Sequence, residues 1–323
     1  MKKPSLIITM GDPSGVGPEI IVKSIRRWDI EAIPIVVGDR KILRKAEEIL
    51  GVKILWSDFT SPAGDGPFLY DLNNVDLASF SWGEISPSGG KASYEYIEKA
   101  VELMGEGRGE GVVTAPINKE AIHKAGIPFI GHTEIFQELT HSEEALTMFQ
   151  VKSLRVFFFT RHLPLKIAIE QVKKDKIAQF IPRMHYYLQK LGLSHPRIAV
   201  AALNPHGGER GLLGEEETKE IIPALELVRS GGIEISGPYP ADSIFWRSFQ
   251  GEFDAVLSLY HDQGHIATKC LDFYKTVSVT LGLPFIRTSP DHGTAMDIAG
   301  KGIANEESML EACRHAAQYA VYY

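Results

Sequence analysis

Three histidines stand a few residues beyond short apolar runs: His162 in "VFFFTRH", His206 in "AVAALNPH" and His261 in "VLSLYH". Three neutral imidazoles with an open fourth position suit a catalytic divalent ion, zinc above all. Any one of them could instead cap a loop or bond to backbone, and no compact motif of the HExxH kind joins them; their equivalent positions carry the metal reading. Other residues suit an anion. Arg287 follows the apolar "LGLPFI", and a guanidinium there can grip a carboxylate or phosphate through two parallel hydrogen bonds. Lys269 follows His261 within one or two helical turns if that stretch is helical. Both cations could equally be solvated surface charges. "GHTEIF" places Thr133 where it can cap a helix whose free N–H groups attract an anion, with His132 beside it. Glu134 would repel that anion if it turned inward. "GDPSGVGPEI" sets Gly11, Gly15 and Gly17 between a strand and a helix but meets neither GxGxxG nor the Walker pattern. It reads equally as a ligand loop or as a tight connecting turn.

These residues need a scaffold. Apolar, β-branched runs ("SLIITM", "IPIVVG", "VKILW", "GVVTA", "LRVFFFT", "RIAVAAL", "IEISG", "DAVLSLY", "TVSVTL") alternate with helical patterns such as "PEIIVKSIRRW" and "EEETKEIIPALELVRS". The alternation predicts an α/β fold, two-lobed, with a mostly parallel sheet of about nine strands and a cleft between the lobes. In such sheets ligands bind beyond the carboxyl ends of the strands, where polar clusters recur in this chain. No internal repeat is evident. Residues 57–67, "SDFTSPAGDGP", read as a surface loop.

The 323 residues suffice for one large or two ordinary domains, and 44% hydrophobic with 23% charged residues is usual for a globular protein. A net charge of −7 argues against a general nucleic-acid binder. Two cysteines, Cys270 and Cys313, point to a reducing compartment, and "MKKPSLIITMGD" matches neither signal peptide nor membrane anchor. The expectation is a cytoplasmic protein with no membrane partner.

"MGDPSGVGPE", "GHTE", "NPHGGE", "YHDQG" and "GLPFIRTSPDHGTA", in this order, resemble the 4-hydroxythreonine-4-phosphate dehydrogenase family of pyridoxal 5′-phosphate (vitamin B6) biosynthesis, over most of the chain. "HGTAMDIAGKGIAN", residues 292–305, is similar to the cofactor loop of isopropylmalate and isocitrate dehydrogenases. The resemblances imply a dehydrogenase of that fold. One lobe, 1–125 plus 287–323, would carry the cofactor, and the other, 126–286, the metal, the substrate and the dimer contact. They imply NAD in preference to NADP, bound by His292, Gly293, Thr294, Ala295, Asp297, Ile298 and Asn305, with Asp297 against the ribose. They imply one divalent ion per site, zinc, magnesium or cobalt. His162 and His206 of one subunit and His261 of another would ligate it, making the protein a homodimer.

His132, Thr133, Lys269, Ser278 and Arg287 match substrate-binding positions. Here Ser278 stands where the family usually has asparagine, which leaves the substrate open. The first expectation is oxidation of 4-phosphohydroxy-L-threonine at C3, then decarboxylation to 3-amino-2-oxopropyl phosphate. Phosphate would lie near His132 and Thr133 and carboxylate near Arg287, with Lys269 as base and Asp242 second. "YHDQGHI" and the later "DIA…ESM" also resemble a sister group acting on 4-phospho-D-threonate or 4-phospho-D-erythronate. A rival from another class is a non-redox acyltransferase or ligand-binding protein on a related scaffold.

Overall fold

The structure, a computed structural model, describes residues 3–59 and 64–323. Its chain forms two compact units: one runs to Ala145 and includes Val277–Val321 and Tyr323, the other is Leu146–Thr276 with Tyr322.

The first unit opens with β1 (Ser5–Thr9), α1 (Gly17–Arg26), β2 (Ile33–Gly38), α2 (Arg40–Leu50), β3 (Ser57–Asp58) and β4 (Phe68–Asp71). It continues through α3 (Pro87–Gly105), β5 (Gly111–Thr114), α4 (Lys119–Lys124) and α5 (His132–Leu139). The second unit holds β6 (Leu146–Val151), β7 (Leu154–Phe158), α6 (Leu165–Glu170), α7 (Lys174–Lys190) and β8 (Ile198–Ala201). A tight turn, Pro205–Gly211, and a π-helical turn, Glu217–Ile221, lead into α8 (Ile222–Ser230). Then come β9 (Ile235–Tyr239), α9 (Ala241–Phe249), β10 (Ala255–Ser258) and α10 (His261–Leu271). The chain returns to the first unit with β11 (Val277–Leu281), β12 (Ile286–Pro290) and α11 (Glu307–Ala320).

The twelve strands make a mostly parallel α/β sheet, ordered β3-β4-β2-β1-β5-β12-β11 in the first unit and β6-β7-β10-β8-β9 in the second. Only β11–β12 and β6–β7, among the described pairings, are antiparallel. The unbroken apolar strands follow from burial on both faces: β1, β5, β8 and β10 are buried at every position. Local signals end the helices. Asp39 caps α2 by accepting from the Lys41 and Ile42 amides, and Gly51 closes it at φ 62° in the left-handed region.

The fold class expected from the sequence is the one observed; eight of the nine apolar runs form strands, and four strands went unrecognised. β4 ("FLYD"), β6 ("LTMFQV") and β12 ("IRTSP") were hidden because polar residues interrupt them. "VKILW" forms no strand; the two-residue β3 follows it. Of the loop expected at 57–67, residues 60–63 lie outside the described residues. The lobe boundaries expected after 125 and 286 fall at 145 and 276. The difference has a physical reason: β11 is one arm of a hairpin with β12, and Phe136 of α5 packs edge-on against Phe285. Among the described residues no helix is long and apolar enough to cross a membrane.

Candidate active site

Arg287, on β12, is 3% exposed. Its Nε donates to Thr114 Oγ1 at 3.2 Å and its Nη1 to Thr280 Oγ1 at 3.1 Å, while Nη2 also reaches Thr114 Oγ1. Register supplies both hydroxyls: Thr280 stands opposite Arg287 across the hairpin, and Thr114 lies two residues beyond its β5 partner, Val112. The guanidinium carbon sits 5.7 Å from the Phe136 ring centroid. Burial pushes the Arg287 pKa down to about 9, against the opposing pull of the Glu134 charge. A buried cation solvated by hydroxyls and a ring face is a ready seat for an anion.

His132 opens α5, and its Nε2 is buried without a hydrogen-bond partner. Burial, then the Arg287 charge, holds its pKa well below the usual histidine value, so the ring is neutral near pH 7. Thr133 differs from expectation. The helix is capped by Gly131, with no side-chain hydrogen bond, so Thr133 sits inside the first turn. The unpaired amides of that turn remain available to an anion. Ser278 is half-buried opposite Ser289 and, by the two-residue period, shares a sheet face with Thr280 and Arg287.

The segment expected to hold the cofactor is clamped by the end of the loop after β1 and by α1. Val16 N–H donates to Thr294 O at 3.0 Å, Gly300 N–H to Glu19 Oε1 at 2.6 Å, and Lys23 Nζ to Gly302 O at 2.9 Å. A Cβ on Gly15 would come within 2.9 Å of Thr294 Cβ, which is why glycine stands there. "GDPSGVGPE" is therefore a connecting turn that carries a second loop. Gly293 and Asp297 are exposed, and Ala295 O accepts from Ile298 N–H at 3.0 Å. Asn305 Oδ1 accepts from the Glu307 amide at 2.8 Å, at the start of α11. His292 keeps a buried Nε2 without a partner. Asp12 was not singled out by its sequence context. It is fully buried, its Oδ2 has no partner, and burial raises its pKa to about 6 despite a bond from the Ser14 amide.

In the second unit, His162, after β7, and His261, opening α10, line one cavity of about 350 Å³ together with Arg161, Tyr260 and Asp262. Their ring centroids are 5.7 Å apart. His261 Nδ1 pairs with Asp262 Oδ1 at 2.7 Å, so Nε2 is the ring nitrogen outside this pair. His265, one turn on, stacks on His261 at 3.7 Å; burial lowers its pKa to about 4. The four-residue spacing of "HDQGH" was the available sign of that stack. Lys269 is half-buried on α10, 5.4 Å from the Phe273 ring, and Asp242 is exposed in the first turn of α9.

His206 does not join this pair. Among the described residues of one chain, no three His, Cys, Asp or Glu side chains gather as a metal site. His206 begins five successive residues of left-handed backbone, with φ 53°, 70°, 75°, 46° and 58° through Arg210. For each non-glycine residue that conformation costs roughly 1–2 kcal/mol.

The family described as "Pyridoxal phosphate biosynthetic protein PdxA" matches residues 31–316. The chain belongs to this family. A PdxA relative in Symbiobacterium thermophilum, named "Putative D-threonate 4-phosphate dehydrogenase", is 49% identical over 98% of this chain and 97% of its own. One of the same name in Halalkalibacterium halodurans is 46% identical over 100% and 98%. Among solved structures, a 4-hydroxythreonine-4-phosphate dehydrogenase from Burkholderia phymatum is 41% identical, with a TM-score of 0.85 over 98% of each chain. The Klebsiella pneumoniae enzyme of that name is 37% identical at 0.86, again over 98% of each. These relatives are dehydrogenases, and this PdxA chain is an oxidoreductase of their kind. A branched-chain phosphotransacylase from Enterococcus faecalis shares the fold alone, at 12% identity and a TM-score of 0.52. The acyltransferase reading has that kinship of scaffold.

Proposed function

We propose that the protein oxidises D-threonate 4-phosphate at C3 with NAD and then releases its carboxylate as CO2. The observation that carries an anionic substrate is the buried Arg287, solvated by Thr114 and Thr280 and pushed down to about 9. The names of relatives at 46–49% identity favour this acid. Ser278, shorter than the family's asparagine, fits a change at the substrate. A second reading, 4-phosphohydroxy-L-threonine yielding 3-amino-2-oxopropyl phosphate for vitamin B6 biosynthesis, is favoured by the solved enzymes at 37–41% identity.

The chemistry balances simply. Removing the C3 hydroxyl proton and a hydride gives a 3-keto acid, whose carboxylate is β to the new carbonyl and leaves as CO2. From D-threonate 4-phosphate the enolate left by CO2 takes a proton at C2, and the product is dihydroxyacetone phosphate. When bound, a divalent ion (zinc, magnesium or cobalt) supplies Lewis acidity for the developing oxyanion, and NAD supplies the hydride acceptor. His261 through Nε2, His162 and His206 would hold that ion. The Asp262-oriented ring beside His162 fits a metal-binding pair, and a second copy of the chain would complete the set as a homodimer.

Arg287, neutral His132 and the first-turn amides at Thr133 bind phosphate, and Ser278 contacts the same substrate. Lys269 takes the hydroxyl proton, with Asp242 as the second candidate. Exposed Asp297 accepts from the adenosine ribose, and His292, Gly293, Thr294, Ala295, Ile298 and Asn305 form the rest of the cofactor segment. NADH, CO2 and dihydroxyacetone phosphate should appear in equal amounts from D-threonate 4-phosphate. NADH without a C3 phosphate product would overturn the proposal.

A further inference from the structure

His206 sits on an unfavourable left-handed turn, so something outside that turn must hold it. The structure supplies a buried group for this: the carboxylate of Glu217, 1% exposed, in the π-helical turn before α8. Its Oε1 accepts from the Leu203 amide at 2.8 Å and the Asn204 amide at 2.7 Å, the last two residues before Pro205 and His206. Its Oε2 accepts from Asn204 Nδ2 at 2.8 Å, and the same amide nitrogen gives its other hydrogen to Glu216 Oε2 at 2.7 Å.

The glycines of "NPHGGERGLLGEEE" agree with this arrangement. A Cβ on Gly208 would lie 2.7 Å from Glu217 Oε2, and one on Gly214 would lie 2.4 Å from Asn204 Nδ2. Both glycines also have positive φ, 75° and 137°. The turn thus wraps closely around a carboxylate that faces three donors. Glutamine could not replace it, because its amide would turn an N–H2 toward the N–H2 of Asn204. π-Helical turns recur at functional sites, since the extra residue redirects a side chain that a regular helix would point elsewhere.

We infer that Glu217 is the positioning residue of His206: it fixes the loop from Leu203 to Gly211 so that the imidazole is presented in one orientation. The inference rests on His206 being a metal ligand, as proposed above. Partners that bond a metal ligand directly are worth 10–100-fold in metal affinity; Glu217 acts one step further out, through Leu203 and Asn204, so the lower end of that range is expected.

The test uses full-length protein, Zn2+ alone as probe, and hydrogen exchange of the metal-free chain as a second readout. In Glu217→Gln, Zn2+ affinity should fall at least tenfold, and amides in 203–211 should exchange faster while β7 and β10 keep their protection. Glu216→Gln, which keeps an acceptor for Asn204 and loses only the charge, should stay within about threefold of the parent protein. If Glu217→Gln does not fold, Asn204→Ser keeps the carboxylate and its two backbone bonds, and should show a smaller loss in both readouts. Unchanged Zn2+ affinity in the folded variant, where His206→Ala abolishes binding, overturns the positioning role even if exchange rises. Unchanged Zn2+ affinity in His206→Ala itself would instead sink the metal assignment on which the inference rests.

Discussion

At the scale of single residues, two buried charges make opposite demands. Arg287 has hydroxyls and a ring face for company, so its burial cost is met fully only when an anion arrives. Arg287→Met should weaken binding of the phosphorylated acid by about 100-fold, or roughly 2.7 kcal/mol, the scale of two charge-assisted hydrogen bonds. The melting temperature of the free protein should change little, because the variant also removes a buried charge that its neighbours only partly compensate. Calorimetric titration beside a thermal melt checks both, and a loss of affinity below threefold contradicts the anion seat. Asp12 titrates near pH 6 when folded, against 3.8 ordinarily, so its ionised form burdens the fold above pH 6. As pH falls the folded state takes up the proton first, and the burden is gone below about pH 4. Asp12→Asn should therefore gain up to about 3 kcal/mol at pH 8 and nothing near pH 4. A stability difference that does not vary over this range argues against a strained carboxylate. His162, His206 and His261 could be placed beyond strands from the sequence because apolar runs announce strand ends, whereas Arg287 lies within β12, an element the sequence did not reveal. Asp12 and Glu217 were not legible either, since an acid's role depends on burial and on donors from distant segments.

At the scale of elements, the segment from His292 to Asn305 is held by the β1–α1 turn at Thr294 and by α1 at Gly300 and Gly302, leaving Asp297 at the surface. A carboxylate there favours the two ribose hydroxyls of NAD and repels the 2′-phosphate of NADP, with Lys301 four residues on as a partial offset. The wild type should prefer NAD by about tenfold in kcat/KM, an energy near 1.4 kcal/mol, and Asp297→Lys should erase or reverse the preference. Equal use of both cofactors, unchanged in the variant, removes Asp297 from the ribose. The pinning predicts a separate effect. Gly15→Ala would push Thr294 aside and should raise KM for NAD at least fivefold, while phosphate-ester binding at Arg287 stays intact. A variant with unaltered KM contradicts the clamp. The segment proposed to hold the cofactor was picked out by its motif, but the clamp could not be, because nothing in "GDPSGVGPE" names the loop it touches. Thr133 shows the same limit on a smaller scale: capping chemistry suggested it ended the helix, and Gly131 does so instead.

For the whole molecule, alternating strands and helices were enough to fix an α/β class with a mostly parallel sheet, since fully buried parallel strands read as continuous apolar runs. They did not yield β4, β6 and β12, which pair at polar-interrupted stretches where tertiary contacts outweigh local pattern. Nor could they say which histidines a single chain brings together. His162 and His261 are neighbours in one chain, with centroids 5.7 Å apart, whereas the family resemblance pairs His162 with His206. Subunit exchange separates the possibilities. Mixing inactive His206→Ala and His261→Ala homodimers should restore activity under either partition, because one of the two sites in the heterodimer stays complete. Mixing His162→Ala with His261→Ala restores it only if these two come from different chains. A fully active monomer contradicts both. The most direct test of the central claim is kcat/KM with NAD for D-threonate 4-phosphate and 4-phosphohydroxy-L-threonine, measured side by side on the metal-loaded protein. The account predicts at least a tenfold preference for D-threonate 4-phosphate with NADH formed on both phosphorylated acids. A preference for 4-phosphohydroxy-L-threonine would contradict the substrate assigned here, and no NADH with either would contradict the dehydrogenase itself.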